Sequence, residues 1–254
     1  MPYRFALDRP DYTDFAAGPV LYSLPGQPAF PVRLTTEIFQ RCLAHLARAG
    51  VPAPYTVYDP CCGSGYLLTT LGYLHWPAIR QLVASDVAPE AVTLAERNLS
   101  LLTLPGIEAR IAQLARLHEQ FGKPSHAQAL ASAERLRALV QAYSARHQLQ
   151  SRVFAADALD GAGLQAHFAG ETVDIVMTDL PYGQRTAWRG LAADPDAPSP
   201  EWRLLEALRG IVHPAPVIAV TATKQQKLAH DAYRRIEQFQ IGKRRTQLFM
   251  LKAA

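Results

Sequence analysis

The order of apolar and polar positions divides the chain into stretches of two periods. Over residues 33–49, Ile38, Cys42, Leu43 and Leu46 recur at three- and four-residue spacing and Gly50 with Pro52 stops the run, which predicts a helix. YTVYDPCCGSG at 55–65 begins as a short β-rich run and ends in a Gly-rich turn, and the apolar stretch from Tyr66 to about Leu74 reads as a helix. QLVASDV at 81–87 predicts a second strand. The helix after it carries Pro89 and Glu90 in its first turn, where the missing proline N–H has no intrahelical partner to lose. SRVFAAD at 151–157, VDIVMTD at 173–179 and PVIAVTA at 216–222 predict three more strands. The tail, RIEQFQI and RRTQLFMLK on either side of Gly242-Lys243, alternates and predicts a hairpin. Residues 105–150 contain ARIAQLARLHEQF and SAERLRALVQAYSARH, both helical in period, and read as a two-helix insertion. Residues 1–32, rich in Pro, Gly and Tyr, read as an irregular lead-in with at most a short strand.

Short apolar strands separated by helices predict an α/β fold. Its sheet is doubly wound, Rossmann-like, mostly parallel and covered on both faces. The hairpin adds one antiparallel strand. We expect a single domain over 1–254, with an N-terminal extension and helix at 1–50 and the insertion at 105–150. Composition supports a folded chain: 49% of the 254 residues are hydrophobic and 19% charged. No run approaches the roughly 18 apolar residues of a membrane span, and MPYRFALDRPDYTDF lacks the apolar region of a secretory signal. Three cysteines, Cys42 and the neighbours Cys61 and Cys62, form neither a disulfide framework nor a zinc pattern, so a reducing cytoplasm is expected. Eight histidines lack ligand spacing, and no metal is expected. The net charge of +4 permits a polyanionic partner without demanding one.

The chemistry lies at two motifs. Asp59-Pro60-Cys61-Cys62-Gly63-Ser64-Gly65 follows a strand and opens a helix, where glycines let backbone N–H groups approach a ligand. Asp86 lies 86 − 65 = 21 residues past the last glycine, at the end of the next strand, placed to accept ribose hydroxyls. The third glycine of a dinucleotide fingerprint is replaced by Leu68, which disfavours NAD or FAD and a dehydrogenase. S-adenosylmethionine has adenosine without pyrophosphate, and its ammonium gives Asp59 a role. After the third strand, Asp157 can accept from an adenine amino group and the Ala158 N–H can donate to a ring nitrogen. Cys61 and Val87 complete this cofactor set. In the second motif, Thr178 to Gly183, Asp179 and the Leu180 carbonyl held by Pro181 can accept the two N–H groups of an amino nitrogen, while Tyr182 stacks on the ring. Such catalysis works by orientation.

DPCCGSG, ASD and TDLPYG together resemble the class I S-adenosylmethionine-dependent methyltransferases that act on exocyclic or ring nitrogens. Leu180 stands where that family usually has a first proline, and DLPYG with Arg185 close behind is similar to its RNA-guanine branch. The lead-in, the insertion and the Ala/Arg/Pro-rich composition resemble the avilamycin-resistance ribosomal RNA methyltransferases. The resemblance implies that Asp59, Gly63 and Gly65 hold the methionine end, Asp86 the ribose, Asp157 the adenine, and Asp179 to Tyr182 the target base. It also implies a guanine of large-subunit ribosomal RNA as substrate, with antibiotic resistance as an outcome; a monomer is expected. Methylation of adenine-N6 in DNA or of a small molecule are the alternatives; an inactive RNA- or partner-binding scaffold is disfavoured by the intact acids.

Substrate contacts are expected from the Pro-rich loop 184–203, through Arg185, Trp188 and Arg189. Further contacts are expected from Arg110, Arg116, Lys123, Arg135, Arg137 and Arg146 of the insertion, and from Lys243, Arg244 and Arg245. Arg33, Thr35 and Thr36 begin a helix expected to close over the methionine carboxylate.

Overall fold

Successive strand residues point to opposite faces of a sheet, and here both faces are apolar. Val57, Leu82, Ile175, Met177 and Leu248 belong to one buried cluster, while Tyr58, Val83, Val176, Ile218 and Phe249 belong to another. A sheet hydrophobic on both sides needs helices on both sides. The strands are β1 (Tyr55–Asp59), β2 (Ile79–Asp86), β3 (Gln150–Ala155), β4 (Val173–Asp179), β5 (Val212–Ala222), β6 (Tyr233–Ile241) and β7 (Arg244–Leu251). They form one sheet in the order β3-β2-β1-β4-β5-β7-β6, in a computed structural model that describes residues 3–23, 29–180, 188 and 197–252.

The helices are α1 (Val32–Arg48), α2 (Tyr66–His75), α3 (Pro89–Ser100), α4 (Leu104–Phe121), α5 (Pro124–Ser144), α6 (Gly161–Phe168) and α7 (Pro200–Leu208). The first five bury their apolar stripes in the first cluster, and α6 and α7 bury theirs in the second. All pairings are parallel except β5 with β7 and β7 with β6, so β7 is the antiparallel strand expected from the hairpin. The insertion is the two-helix unit α4–α5, as expected.

Three details differ from the sequence pattern. Residues 200–203 belong to α7, not to the loop after the second motif; Pro200 opens this helix and the Ser199 hydroxyl caps it by accepting from the Trp202 N–H at 3.2 Å. Helix α6, GAGLQAHF, is not apparent in the pattern because two glycines in eight residues mask its period. The described part of the lead-in holds no regular strand, only a single bridge between Ala17 and Leu21 and a turn of 3₁₀-helix at Thr13–Phe15.

The chain runs from β1 outward to β3 on one side and from β4 outward on the other. Between β1 and β4 the winding reverses, and a crevice opens there at the carboxyl ends of the strands. Register sets the heights of its acids. Asp59 pairs with Ala84, so Asp86 stands two residues farther along, about 6–7 Å at roughly 3.3 Å per residue. Tyr58 pairs with Val176, which places Asp179 two residues beyond Asp59 on the other side. Asp59 is therefore the recessed floor between two raised acids.

Candidate active site

Asp59 at the tip of β1 is buried and accepts the Cys61 N–H at 3.1 Å. Burial, with the Asp86 and Asp179 carboxylates adding to it, pushes its carboxyl up to about 7. The chain then folds back on β2: the Cys62 N–H donates to the Ser85 carbonyl at 3.0 Å and the Gly65 N–H to the Cys62 carbonyl at 2.8 Å. Gly63 and Gly65 take φ of +52° and +70°, the left-handed region that favours glycine. Gly65 has a second reason to be glycine, since a Cβ there would lie 3.0 Å from Cα and Cβ of Ala95 in α3. The close helix approach that a third glycine gives in dinucleotide sites falls here to Gly65 and Ala95, and Leu68 is core. Burial, with the Asp59 and Asp86 carboxylates adding to it, holds the Cys61 and Cys62 thiols well above the usual range, which disfavours the thiolate form.

Asp86 at the tip of β2 is tightly held. Its Oδ2 accepts the Gly63 N–H at 2.9 Å and its Oδ1 the Ala88 N–H at 3.0 Å, with Val87 exposed beside it. Asp157 follows β3, exposed, and accepts the Leu159 N–H at 2.9 Å; Ala158 is buried next to it. The Ala156 N–H donates to the Asp86 carbonyl at 3.1 Å and joins these two tips. The fold thus brings Asp59, Gly63, Gly65, Asp86, Val87, Asp157 and Ala158 to adjacent strand ends.

On the other side, Asp179 is half-buried and its Oδ1 has no hydrogen-bond partner among the described residues. Arg244 of β7 reaches across the end of β5 and places Nε 3.8 Å from Asp179 Oδ2. Burial pushes the Asp179 carboxyl up to about 7 in spite of that guanidinium. Leu180 is buried, and its N–H donates to the Thr221 carbonyl at 2.9 Å. Pro181, Tyr182, Arg185 and Arg189 lie outside the described residues. Trp188 is half-buried and packs against the core on the α6–α7 face.

Several of the cations named from the sequence have partners within the protein. Arg110 of α4 is buried, donating through Nε to the Val20 carbonyl at 3.0 Å and through Nη2 to the Pro19 carbonyl at 2.9 Å. Arg135 of α5 pairs with Asp14 at 2.6 Å and Arg137 with Glu134 at 2.7 Å. Arg245 donates to the carbonyls of Thr223 and Gln226. Arg116, Lys123, Arg146 and Lys243 remain exposed. The side chains at the start of α1 meet groups of the protein itself. Arg33 donates to the carbonyls of Ala6 and Leu7, both at 2.9 Å, Thr35 to that of Pro31, and Thr36 meets His75. Behind them Glu37 accepts the N–H groups of Arg4, Phe5 and Ala6 and pairs with Arg41, which also pairs with Glu237 of β6.

The element that does cover the Gly-rich turn is the lead-in. Buried Asn98 of α3 accepts the Tyr22 N–H at 2.8 Å and donates to the carbonyls of Tyr22 at 2.9 Å and Ser64 at 2.8 Å. The Tyr66 hydroxyl donates to the Phe15 carbonyl, and the Tyr22 ring lies under the guanidinium groups of Arg97 and Arg110 at 3.9 and 4.3 Å. The roles of Asn98 and Arg110 and the Arg244–Asp179 pair have no signature in the sequence pattern. Nor do Lys224 and Lys227, exposed in the loop after β5, at the carboxyl edge of the sheet.

Comparison with known proteins gives this architecture its relatives. Residues 1–244 match the family described as rRNA methyltransferase AviRa. The chain is 46% identical over 243 residues, 95% of its length and 93% of the relative's, to the 23S rRNA (guanine(2535)-N(1))-methyltransferase of Streptomyces viridochromogenes. Two crystal structures of the rRNA methyltransferase AviRa from Streptomyces viridochromogenes superpose on it. One has a TM-score of 0.86 at 43% identity and the other 0.85 at 44%, and each covers 98% of this chain and 96% of the other. The acids at the β1, β2 and β4 tips therefore sit in a known frame, and the chain belongs to the AviRa family of rRNA methyltransferases.

Proposed function

We propose that this chain, as one monomeric cytoplasmic methyltransferase domain, uses S-adenosylmethionine to methylate N1 of a guanine in large-subunit ribosomal RNA. The donor set favours that cofactor. Asp59, Asp86, Asp157 and Asp179 make the crevice electronegative, which repels a pyrophosphate and attracts a sulfonium and an ammonium. When bound, S-adenosylmethionine supplies a methyl group on positively charged sulfur. Asp59 would face its ammonium, Asp86 its ribose and Asp157 with Ala158 its adenine. Asp86 still offers acceptor lone pairs after its two backbone bonds, since an ionised carboxylate has about four such sites.

Asp179 carries the choice of acceptor atom. Guanine N1 holds a proton that must leave for its lone pair to react, and a carboxyl raised to about 7 is poised to take it near neutral pH. The proton passes to Asp179, the lone pair left on N1 bonds to the methyl carbon, and the carbon–sulfur pair departs with sulfur. Lys224, Lys227 and Lys243 lie at the same edge of the sheet, since Ala222 pairs with Arg245 and Asp179 with Thr221. They are placed to hold phosphates around an unpaired base. Arg185 and Arg189, which follow the second motif in sequence and lie outside the described residues, are further candidates for phosphate contact. The test is transfer of labelled methyl to large-subunit RNA, nuclease digestion and nucleoside mass analysis. The expected product is 1-methylguanosine; N2-methylguanosine or a methylated adenosine overturns the reading.

A further inference from the structure

Arg244 opens β7 opposite Ile241, next to the residue that pairs with Ala222 at the end of β5. This register sends its side chain over the end of β5 toward β4. Its guanidinium lies over the Phe30 ring, 5.4 Å from the centroid, which fixes the direction in which it points. At 3.8 Å the Nε is too far from Asp179 Oδ2 for a hydrogen bond. Both Arg244 Nε and Asp179 Oδ1 are buried and have no hydrogen-bond partner among the described residues. A buried donor and a buried acceptor left unsatisfied on two neighbouring side chains are costly unless a third group completes them.

We propose that Arg244 is the residue that selects a 6-keto purine over a 6-amino purine, donating to O6 while Asp179 accepts from N1–H; this rests on the guanine-N1 reading above. Guanine presents a donor at N1 beside an acceptor at O6. Adenine presents the reverse, an acceptor at N1 beside a donor at N6. A carboxylate next to a guanidinium fits the first order and meets the second acceptor to acceptor and donor to donor. The pair also suits the reaction. When N1 gives up its proton, negative charge spreads to O6, and a guanidinium already in place stabilises it without reorganising. Arg244 thus contributes more to the transition state than to the bound ground state.

The experiment uses the full chain and large-subunit RNA carrying guanosine, inosine, 6-thioguanosine or adenosine at the modified position, with single-turnover rates for wild type, Arg244→Lys and Arg244→Met. Arg244→Met should slow methylation of guanosine and inosine by about 100-fold, the usual effect of removing one such donor, with S-adenosylmethionine affinity unchanged. Its penalty on 6-thioguanosine should be several-fold at most, since sulfur is a weak acceptor, and Arg244→Lys should recover part of the guanosine rate. An equal penalty on oxygen and sulfur would leave Arg244 with no more than a role in holding Asp179, and the proposal falls; so it does if Arg244→Met works at the wild-type rate. If the methionine variant does not fold, the oxygen-to-sulfur rate ratio of Arg244→Lys against wild type decides, and an unchanged ratio overturns the proposal. Wild-type enzyme that methylates guanosine but not inosine, which lacks the N2 amine, would instead remove the N1 reading itself.

Discussion

Asp86 and Asp179 stand at matching heights on the two strands that flank β1, yet their surroundings are opposite. Asp86 has each carboxylate oxygen on a backbone N–H, from Gly63 and from Ala88. Asp179 has one oxygen with no partner among the described residues, and its carboxyl is pushed up to about 7. One acid is oriented by its own chain before any ligand arrives, which suits the ribose-holding role proposed for it. The other has an oxygen without a partner among the described residues, which suits the proton-accepting role proposed for it. The same crevice therefore combines a finished half and an unfinished half.

The largest effect should come from the unfinished half. Asp179→Ala should reduce methyl transfer by roughly 10²–10⁴, the range for removal of a general base, with S-adenosylmethionine affinity within about twofold of wild type by calorimetry. For the wild type, only the carboxylate form accepts a proton, so single-turnover rates should rise as pH rises through about 7 and level off above it. A flat profile would put Asp179 with Asp86 as a fixed acceptor. From the finished half, Asp86→Ala should weaken S-adenosylmethionine by roughly 1.5–3 kcal/mol, as expected when hydrogen bonds to a charged group are removed, and leave the rate at saturating cofactor close to wild type. Equal reductions in affinity and rate would erase the distinction.

A smaller effect tests what supports the finished half. Asn98→Ala leaves the N–H and carbonyl of Tyr22 and the carbonyl of Ser64 without their buried partner. It should cost about 1–3 kcal/mol in denaturant unfolding and weaken cofactor binding along with it. A drop in stability with unchanged cofactor affinity would separate the lead-in from the Gly-rich turn. The smallest effect sharpens the outer edge of the unfinished half. Lys224→Ala and Lys227→Ala each remove one cation from the expected phosphate footprint, and each should lower the salt slope of RNA affinity by about 0.7–0.9. Arg110→Gln should act on stability instead and leave that slope as it is.

The sequence makes one kind of feature plain and hides another. The strand tips and their acids are local: a β-rich run, a turn and a helix start lie within about ten residues, and Asp59, Asp86, Asp157 and Asp179 can be found from that grammar alone. The partners that decide how those acids behave are not local. Arg244 reaches Asp179 from 65 residues away (244 − 179) only because β7 inserts beside β5. Asn98 reads as one more polar residue near the end of an amphipathic helix, and nothing in its spacing marks it as the joint between the lead-in and the Gly-rich turn. Cations are visible in the sequence, but their pairing is not: folding the lead-in against α4 and α5 buries Arg110 on the Val20 carbonyl and pairs Arg135 with Asp14.

Arg110 has a bearing on how this protein's surface chemistry should be mapped. With 7% of its surface exposed and its guanidinium between backbone carbonyls, it is out of reach of dicarbonyl reagents that add to arginine in solution. Arg116 and Arg146 on the same insertion are open to them. Labelling the free protein therefore sorts structural arginines from solvent-facing ones in a single mass spectrum, and repeating it with RNA bound asks only which of the open ones become shielded. The folded chain supplies its own internal standard for that footprint, an arginine that should stay unmodified in both spectra until the protein unfolds.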